Sequence, residues 1–408
     1  MPIPIPRQCH CKVGAVRTAL LVLLVVVIGL LQLRSQTEPE GTGQALAKPR
    51  TETMSPASFG PKELPRSSKS PSRQAPLRDG QPCGELPARF PDSIPPLVHL
   101  TSKDGRIATK LLPTVRSWRR LLDIDISNRS ASGQLIFNNR WHFMHWDDRQ
   151  ISELIAKHHP RLSRSYGKLA SGLERSDIGR LAVLHHVGGL YVDLDVELLR
   201  DPTPLLRPAQ LRGPSRLAEN FSCESAVWSQ EPPAHPIFVY NRSSIISNAV
   251  MMSRANQTFL TFVLNNWPDW FERVWAEKSR RKDTQAVQVT GPAMLQEFYN
   301  NYTALKPREP ALDWCANMLA DPDVFQPISD HYYGPKRMKH VCVKDAARMN
   351  ELQRLLCQRM AREKFKEKQV PKSAYTVHKF MHLSYENRLR RLQTSAISSV
   401  LPILTCEI

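Results

Sequence analysis

The sequence predicts an α/β domain over residues 93–408, with a sheet flanked by helices. Apolar runs of strand length alternate there with stretches of helical periodicity, which is the pattern of strand–helix–strand units. The segment has roughly 300 residues, enough to bury a sizeable core. Because ligands in such folds bind beyond the carboxyl ends of the strands, polar residues at those ends are the first candidates for a site.

A helix and a strand are predicted within the stretch 176–201. Apolar residues recur there at helical spacing, and Gly188 follows where a helix often ends in a left-handed conformation. After the Gly-Gly pair, apolar and polar residues alternate over 190–196, which is typical of a strand with one polar face. Asp193 and Asp195 are therefore expected side by side on that face, roughly 6–7 Å apart.

Two carboxylates so close together repel each other unless a positive charge lies between them. A hard divalent cation with oxygen ligands is the usual solution, and such a cation also neutralises phosphates. Asp-x-Asp pairs are common on solvated surfaces, so an ordinary acidic pair is the alternative interpretation. The mostly apolar setting of Asp193 and Asp195 favours the metal–diphosphate site, because charges without partners are unfavourable there.

Other elements are predicted from local pattern. The short apolar run 94–101 contains a proline stop and predicts the first strand, and Trp118 is expected in a following helix as a core residue. Asp147 or Asp148 is expected to cap a helix at 149–158. Apolar residues at helical spacing over 349–360, among many lysines and arginines, predict a packed amphipathic helix.

The amino terminus has the pattern of a membrane anchor. Residues 1–17 contain Arg7, Lys12 and Arg17 and no acid, and residues 18–34 are almost wholly apolar up to the closing arginine. A positive flank stays cytosolic, so we expect a short cytosolic tail, a transmembrane signal-anchor and a lumenal remainder, the type II arrangement. A cleaved signal peptide is the alternative.

Residues 35–92 predict a disordered stem. Pro, Ser, Thr, Gly and basic residues dominate there, and large apolar residues are too scarce to offset the ordering entropy. The predicted boundaries are therefore a tail at 1–17, an anchor at 18–34, a stem at 35–92 and a lumenal domain at 93–408.

The segment 93–408 has the pattern of a glycosylated lumenal domain. It contains Asn-x-Ser/Thr sequons at Asn128, Asn220, Asn241, Asn256 and Asn301. Six cysteines follow the anchor, at positions 83, 223, 315, 342, 357 and 406, and could form up to three disulfides. Cys342–Cys357 is one possible pair.

The chain is strongly basic, with a formal net charge of +18. Such an excess suits nucleic acid, an anionic membrane or an acidic ligand. No zinc-finger spacing or RNA-recognition motif is present in the sequence, and the predicted secretory location argues against nucleic acid as a partner. The predicted contact with membrane is through the N-terminal helix.

Ser176–Arg180, followed by Gly188–Asp195, resembles the core motif of the DXD-containing glycosyltransferases. This family includes the yeast initiating α-1,6-mannosyltransferase, the inositol-phosphoceramide mannosyltransferases and the α-1,4-galactosyl- and N-acetylglucosaminyltransferases. The resemblance extends to 94–101, 141–148, Ile246–Met252 and Thr290–Pro292, and to Tyr375–Phe380. It implies a GT-A-like nucleotide-sugar-binding domain with a mixed, mostly parallel sheet.

The resemblance also implies a set of site residues. His378 is the candidate third metal contact beside Asp193 and Asp195, and these three are the expected catalytic residues. His382 is the alternative to His378. The residues expected to line the donor site are His99, Asp177, Arg180, Tyr191, Asp193 and Asn248. Three alternatives stay open: His99 as a packed core histidine, an ion pair between Asp177 and Arg180, and plain aromatic packing for Tyr191.

The implied reaction moves a hexose or N-acetylhexosamine from a nucleotide sugar to a glycan or glycosphingolipid, with retention of the configuration at the anomeric carbon. The donor is UDP-galactose, UDP-N-acetylglucosamine or GDP-mannose, and the metal is Mn²⁺ or Mg²⁺. The expected location is the Golgi membrane. The nucleophile and general base stay open. Two alternatives are a catalytically inactive transferase-like lectin or chaperone, and a lumenal metalloenzyme that cleaves phosphate esters.

Overall fold

The computed structural model describes residues 79–86, 90, 93–124, 126, 128–129, 135–137, 140–169, 171–206, 226–278, 286–305, 317–382 and 393–408. The described residues belong to one compact unit, residues 69–408. The predicted tail and anchor and most of the predicted stem lie outside the described residues, so those boundaries stay predictions. Within the described residues, no helix combines the length and the apolar character that crossing a bilayer requires.

A six-stranded sheet forms the centre of the domain. The described strands are β1 (Gln81–Pro82), β2 (Leu97–Thr101), β3 (Arg106–Ala108), β4 (Asn128–Arg129), β5 (Leu135–Phe137), β6 (His142–Trp146), β7 (Gly189–Val192), β8 (Val196–Leu198), β9 (Ala226–Gln230), β10 (Ile246–Ser253), β11 (Asn317–Leu319), β12 (Thr376–His378), β13 (Thr394–Ala396) and β14 (Cys406–Glu407). The central sheet has the order β11-β9-β10-β7-β2-β6, and the other strands form two-stranded ribbons.

The sheet is mixed and mostly parallel, as predicted. Strand β2 pairs in parallel with both β6 and β7, and β11 pairs in parallel with β9. Strand β10 runs antiparallel to both of its neighbours, β7 and β9. The amino end of β10 therefore lies at the same edge as the carboxyl ends of β7 and β9.

Helices cover the sheet on both faces. The described α-helices are α1 (Leu112–Ser117), α2 (Asp148–His158), α3 (Pro160–Tyr166), α4 (Gly172–Val187), α5 (Ala234–Tyr240), α6 (Thr258–Lys278), α7 (Ala286–Val289), α8 (Pro292–Leu305), α9 (Pro322–Phe325), α10 (Pro335–Lys344) and α11 (Glu351–Arg362). One core joins α2, α4, α6 and α8 to the sheet, and a second core on the other face includes α1 and the chain around residues 397–401. Alternate residues of β7 enter the two cores, so this strand is buried on both faces.

Local sequence explains where the elements near the site begin. Asp147 accepts a hydrogen bond from the Gln150 backbone N–H in a capping box, which confirms the predicted cap of α2. Ser171 and Glu174 form the same arrangement at the start of α4. The predicted amphipathic helix corresponds to α11.

The prediction of one strand through residues 190–196 is wrong beyond Val192. Strand β7 ends there, and the next three residues form a turn closed by a hydrogen bond of 3.0 Å from the Val196 N–H to the Asp193 carbonyl. The chain then leaves the central sheet, because β8 pairs with the distant β12 instead. The two acids consequently lie in a turn rather than on one face of a strand.

Two disulfides are present among the described residues. Cys342–Cys357 confirms the pair considered from the sequence, and Cys83–Cys406 joins residues 323 positions apart. Cys223 and Cys315 lie outside the described residues. The long-range bridge ties Cys83, which lies within the predicted stem, to the carboxyl-terminal strand β14, where β1 also pairs.

Two glycines make the turn from α4 into β7 possible. Gly188 has φ +72° and ψ −177°, a region open almost only to glycine. Gly189 has φ +113°, and a Cβ built there would lie 2.6 Å from the Leu97 carbonyl oxygen and 2.7 Å from Nε2 of His99. The close approach of β7 to β2 therefore requires glycine at this position.

We expect Gly189→Ala to lower the free energy of unfolding by about 2–5 kcal/mol, because it adds backbone strain to a steric clash. Urea unfolding of the purified chain measures this. Gly84→Ala is the matched control: no heavy atom lies within 4 Å of its Cβ position, and the change should stay within about 0.5 kcal/mol. Equal effects of the two substitutions would contradict the proposed packing.

Candidate active site

The predicted site residues meet at one edge of the central sheet. Asp193 and Asp195 follow the carboxyl end of β7, Asn248 lies near the start of the antiparallel β10, and His378 ends β12. Helix α4 brings Asp177 to the same edge. Asp195 and His378, which are 183 positions apart in the chain, are thus neighbours because β12 pairs with β8, directly after the turn that holds the two acids.

The two acids and His378 form one cluster. Each offers a ligand atom, and these atoms lie within 4.8 Å of one another. Nε2 of His378 donates to Oδ1 of Asp195 at 3.1 Å, and the Met381 backbone N–H donates to Oδ2 at 2.9 Å. The Asp193 side chain is 27% exposed, which leaves the cluster open to solvent.

The donor set fits a divalent cation. Two carboxylates supply negative charge and hard oxygen ligands, and an imidazole nitrogen is acceptable to Mn²⁺ as well as to softer metals. The residues that would hold the predicted metal are therefore Asp193, Asp195 and His378.

Hydrogen bonds and charge shift the pKa values of Asp195 and His378 in opposite directions. Burial disfavours the charged carboxylate, but the hydrogen bond and charge of His378 outweigh it and hold the pKa of Asp195 below its ordinary value. Burial also disfavours the imidazolium, but Asp195 and then Asp193 raise the pKa of His378 above its ordinary value. Asp193 differs, because burial dominates and raises its pKa.

A buried arginine, Arg180, forms an ion pair with Asp193. Nη1 of Arg180 lies 3.1 Å from Oδ1 of Asp193, and the Tyr191 hydroxyl donates to the same oxygen at 2.8 Å. The guanidinium carbon also lies 4.6 Å from the centre of the Tyr191 ring. Tyr191 is only 1% exposed, so its ring packs in the core and its hydroxyl alone reaches the site.

Asp177 is the third carboxylate of this network. Its Oδ1 lies 3.2 Å from Nη2 of Arg180 and accepts a hydrogen bond from Nδ2 of Asn248 at 2.9 Å, while Oδ2 accepts from the Thr290 hydroxyl at 3.0 Å. Burial raises the pKa of Asp177 to about 6 even though Arg180 opposes the shift. The predicted ion pair between Asp177 and Arg180 therefore exists, and it extends to Asp193.

His99 does not join the site. It is fully buried; its Nε2–H donates to the Gly188 carbonyl at 2.6 Å, and its Nδ1 accepts from the Trp146 indole N–H at 3.0 Å. Both ring nitrogens are thus used, and burial lowers the pKa of His99 to about 4. The expected donor contact is corrected to a core histidine that fixes the glycine turn.

Sequence reasoning missed three side chains at this edge. Glu231 directly follows β9, accepts a hydrogen bond from Nδ1 of His235 at 2.9 Å, and contributes to the raised pKa of His378. Oε1 of Gln326 lies 3.4 Å from Nδ1 of His378. Thr290 was named only as part of a motif, and its side chain donates to Asp177. The position of Glu231 after an apolar run was the one available signal.

Comparison with known proteins agrees with this geometry. Residues 130–211 match the family described as "Glycosyltransferase sugar-binding region containing DXD motif". The matched region contains Asp177, Arg180 and both acids of the turn. The resemblance to DXD-containing glycosyltransferases is therefore confirmed.

Two curated relatives come from Schizosaccharomyces pombe. Inositol phosphoceramide mannosyltransferase 1 is 28% identical over 149 residues, which is 36% of this chain and 41% of that protein. Inositol phosphoceramide mannosyltransferase 3 is 30% identical over 217 residues, or 52% and 53% of the two chains. The matched part of the chain thus spans about half the length of these relatives or less.

Among solved structures, one similar chain is titled "PaToxG Glycosyltransferase". It is 13% identical, covers 57% of this chain and 76% of its own, and has a TM-score of 0.31. At that TM-score the likeness adds nothing to the assignment.

The raised pKa of Asp177 predicts a dependence of stability on pH. In the unfolded chain the carboxyl has its ordinary pKa of 3.8, but in the folded chain its pKa is about 6. Its contribution is therefore complete below pH 4 and is lost as pH rises through 6. Relative to Asp177→Asn, the wild-type free energy of unfolding should fall by roughly 1–3 kcal/mol between pH 4 and pH 7.

Urea unfolding of both proteins across this pH range, with a chelator present, measures the difference. The asparagine variant keeps the shape of the side chain and removes its titration; because it also removes the partner charge of Arg180, the comparison is of the slopes with pH and not of the absolute stabilities. Parallel pH profiles for the two proteins would contradict the assignment of a raised pKa to Asp177.

Proposed function

We propose that the protein is a metal-dependent glycosyltransferase with a GT-A-like domain, which transfers a hexose or N-acetylhexosamine from a nucleotide sugar to a hydroxyl group. The observation that carries the proposal is the convergence of Asp193, Asp195 and His378, whose ligand atoms lie within 4.8 Å of one another. The cluster lies beyond the carboxyl end of β7 in a mixed sheet, and its two acids lie inside the region that matches the DXD family.

The cluster suits the departure of a nucleoside diphosphate. When bound, Mn²⁺ or Mg²⁺ supplies the positive charge that stabilises the leaving diphosphate. Arg180 and Tyr191 hold Oδ1 of Asp193, and the Met381 N–H holds Oδ2 of Asp195, so both carboxylates are oriented before a ligand arrives. Such preorganisation avoids a reorganisation cost during the reaction.

The names of the relatives favour a particular substrate class. Two of them are called inositol phosphoceramide mannosyltransferases. We accordingly extend the proposal to GDP-mannose as a donor, beside UDP-galactose and UDP-N-acetylglucosamine, and to a glycosphingolipid or glycan as the acceptor. Retention of configuration, which gives an α-linkage, is part of the proposal through the family resemblance.

The proposed location is the Golgi membrane, with a single N-terminal anchor and a lumenal domain. Both described disulfides suit an oxidising compartment. The sequon residues Asn241, Asn256 and Asn301 are exposed, as glycosylation requires.

Treating the protein from cells with an N-glycosidase should increase its mobility on a gel, and an unchanged mobility would count against a lumenal domain.

The experiment that tests the activity is a donor screen. The full chain, purified in detergent, is incubated with each of the three sugar nucleotides and Mn²⁺. We expect transfer or slow hydrolysis of one donor, and complete loss on chelation. Asp193→Asn combined with Asp195→Asn should lower the rate by at least about 100-fold, because the charge that holds the cation is removed.

Asp269→Asn is the matched control, since this acid is 66% exposed in a surface ion pair with Arg161. It should leave the rate within about twofold. Donor binding without turnover would support the inactive lectin or chaperone instead. Cleavage of simple phosphodiesters without any sugar transfer would support the phosphodiesterase alternative.

A further inference from the structure

A second group of metal-type ligands lies outside the cluster of the DXD turn. Asp330, His331 and His382 each offer one ligand atom, and these atoms also lie within 4.8 Å of one another. We propose that these three residues form a second cation site, which binds a divalent metal of the zinc type. The proposal does not depend on the transferase activity, because it concerns metal binding alone.

The carboxylate of Asp330 lies between the two imidazoles. Its Oδ2 is 2.6 Å from Nε2 of His382, and its Oδ1 is 2.8 Å from Nδ1 of His331. The Asp330 side chain is only 7% exposed, so its negative charge needs a positive partner nearby. A cation held by all three residues would satisfy that requirement, with neutral imidazoles as nitrogen ligands.

The surrounding contacts fix the position of Asp330. Oδ1 accepts a hydrogen bond from the Tyr332 N–H at 2.9 Å, and the Asp330 N–H donates to Nε2 of His235 at 3.1 Å. Because that nitrogen accepts, Nδ1 of His235 carries the proton and donates to Glu231 at 2.9 Å. Outer contacts of this kind commonly orient metal ligands.

The third ligand belongs to a constrained backbone. His382 has φ +50°, and Phe380 two residues earlier has φ +48°, both in the left-handed region that favours glycine. Residues held in this way are found preferentially where structure serves a function. The backbone of this turn therefore presents His382 toward Asp330 at a conformational cost.

Access and ligand chemistry identify the kind of metal. His331 is 70% exposed, so an ion can enter from solvent. Two imidazoles and one carboxylate form a donor set typical of zinc. The cluster of Asp193, Asp195 and His378 has the reverse composition and favours Mg²⁺ or Mn²⁺. The two sites are thus distinguished by the balance of nitrogen and oxygen ligands.

Metal stoichiometry tests the proposal. The untagged full chain carrying Asp193→Asn and Asp195→Asn is stripped with a chelator, reloaded with Zn²⁺, separated from free metal and analysed by mass spectrometry. The same chain with His331→Gln added should bind one Zn²⁺ fewer per molecule, or bind that ion at least about tenfold more weakly. Because His331 is largely exposed, its replacement is expected to leave the fold intact.

Two further measurements complete the design. His340→Gln on α10, an exposed histidine outside the cluster, serves as the control and should leave the stoichiometry unchanged. Co²⁺ in place of Zn²⁺ should give visible absorption bands that His382→Gln removes. Equal Zn²⁺ binding with and without His331, or Co²⁺ bands unaffected by His382→Gln, would mean that the three side chains form only a hydrogen-bonded group, and the proposal would be overturned.

Discussion

The buried guanidinium of Arg180 joins the parts of the candidate active site. Its side chain is 3% exposed, which would cost several kcal/mol without partners. The cost is offset by Asp177 on the same helix, by Asp193 in the turn after β7, and by the Asn248 carbonyl, which accepts from Nη1 at 2.8 Å. One cation thus connects a helix, a turn and a strand. The position of Asp193 therefore depends on the packing of α4 against the sheet, and not only on its own turn.

That packing depends in turn on the close approach of β7 to β2. Gly188 and Gly189 allow it, and His99 fills the space beside them while donating to the Gly188 carbonyl. A residue without any contact to substrate can therefore be as necessary to the site as a ligand. The distinction matters for interpreting substitutions: loss of activity on changing His99 would indicate a displaced turn, whereas changing Asp195 would remove one of the proposed metal ligands.

Local patterns in the sequence predicted the capping of α2, the strand β2 and the start of β7, while the family resemblance brought His378 together with Asp193 and Asp195. These local patterns failed where pairing with a distant segment determines the structure. The alternation through Asp195 is a strand pattern, but pairing of β8 with β12, almost 180 residues later, ends the strand at Val192. Glu231 was missed for the same reason, because nothing near it in the sequence reveals that β9 ends beside His378. His99 was ambiguous because a polar residue in an apolar strand fits both a ligand and a satisfied core group.

Asp195 and the turn that follows β12 hold each other in place. Its carbonyl accepts from the Lys379 N–H at 2.9 Å, and its carboxylate accepts from the Met381 N–H and from His378. These bonds offset left-handed backbone at Phe380 and His382, which costs roughly 1 kcal/mol or more at each residue. The Phe380 ring lies 4.0 Å from the ring of His378, between the two ligand clusters. Because one short turn supplies a histidine to each cluster, a metal that fixes His382 would also restrict His378, and the geometry of one site would depend on the occupancy of the other.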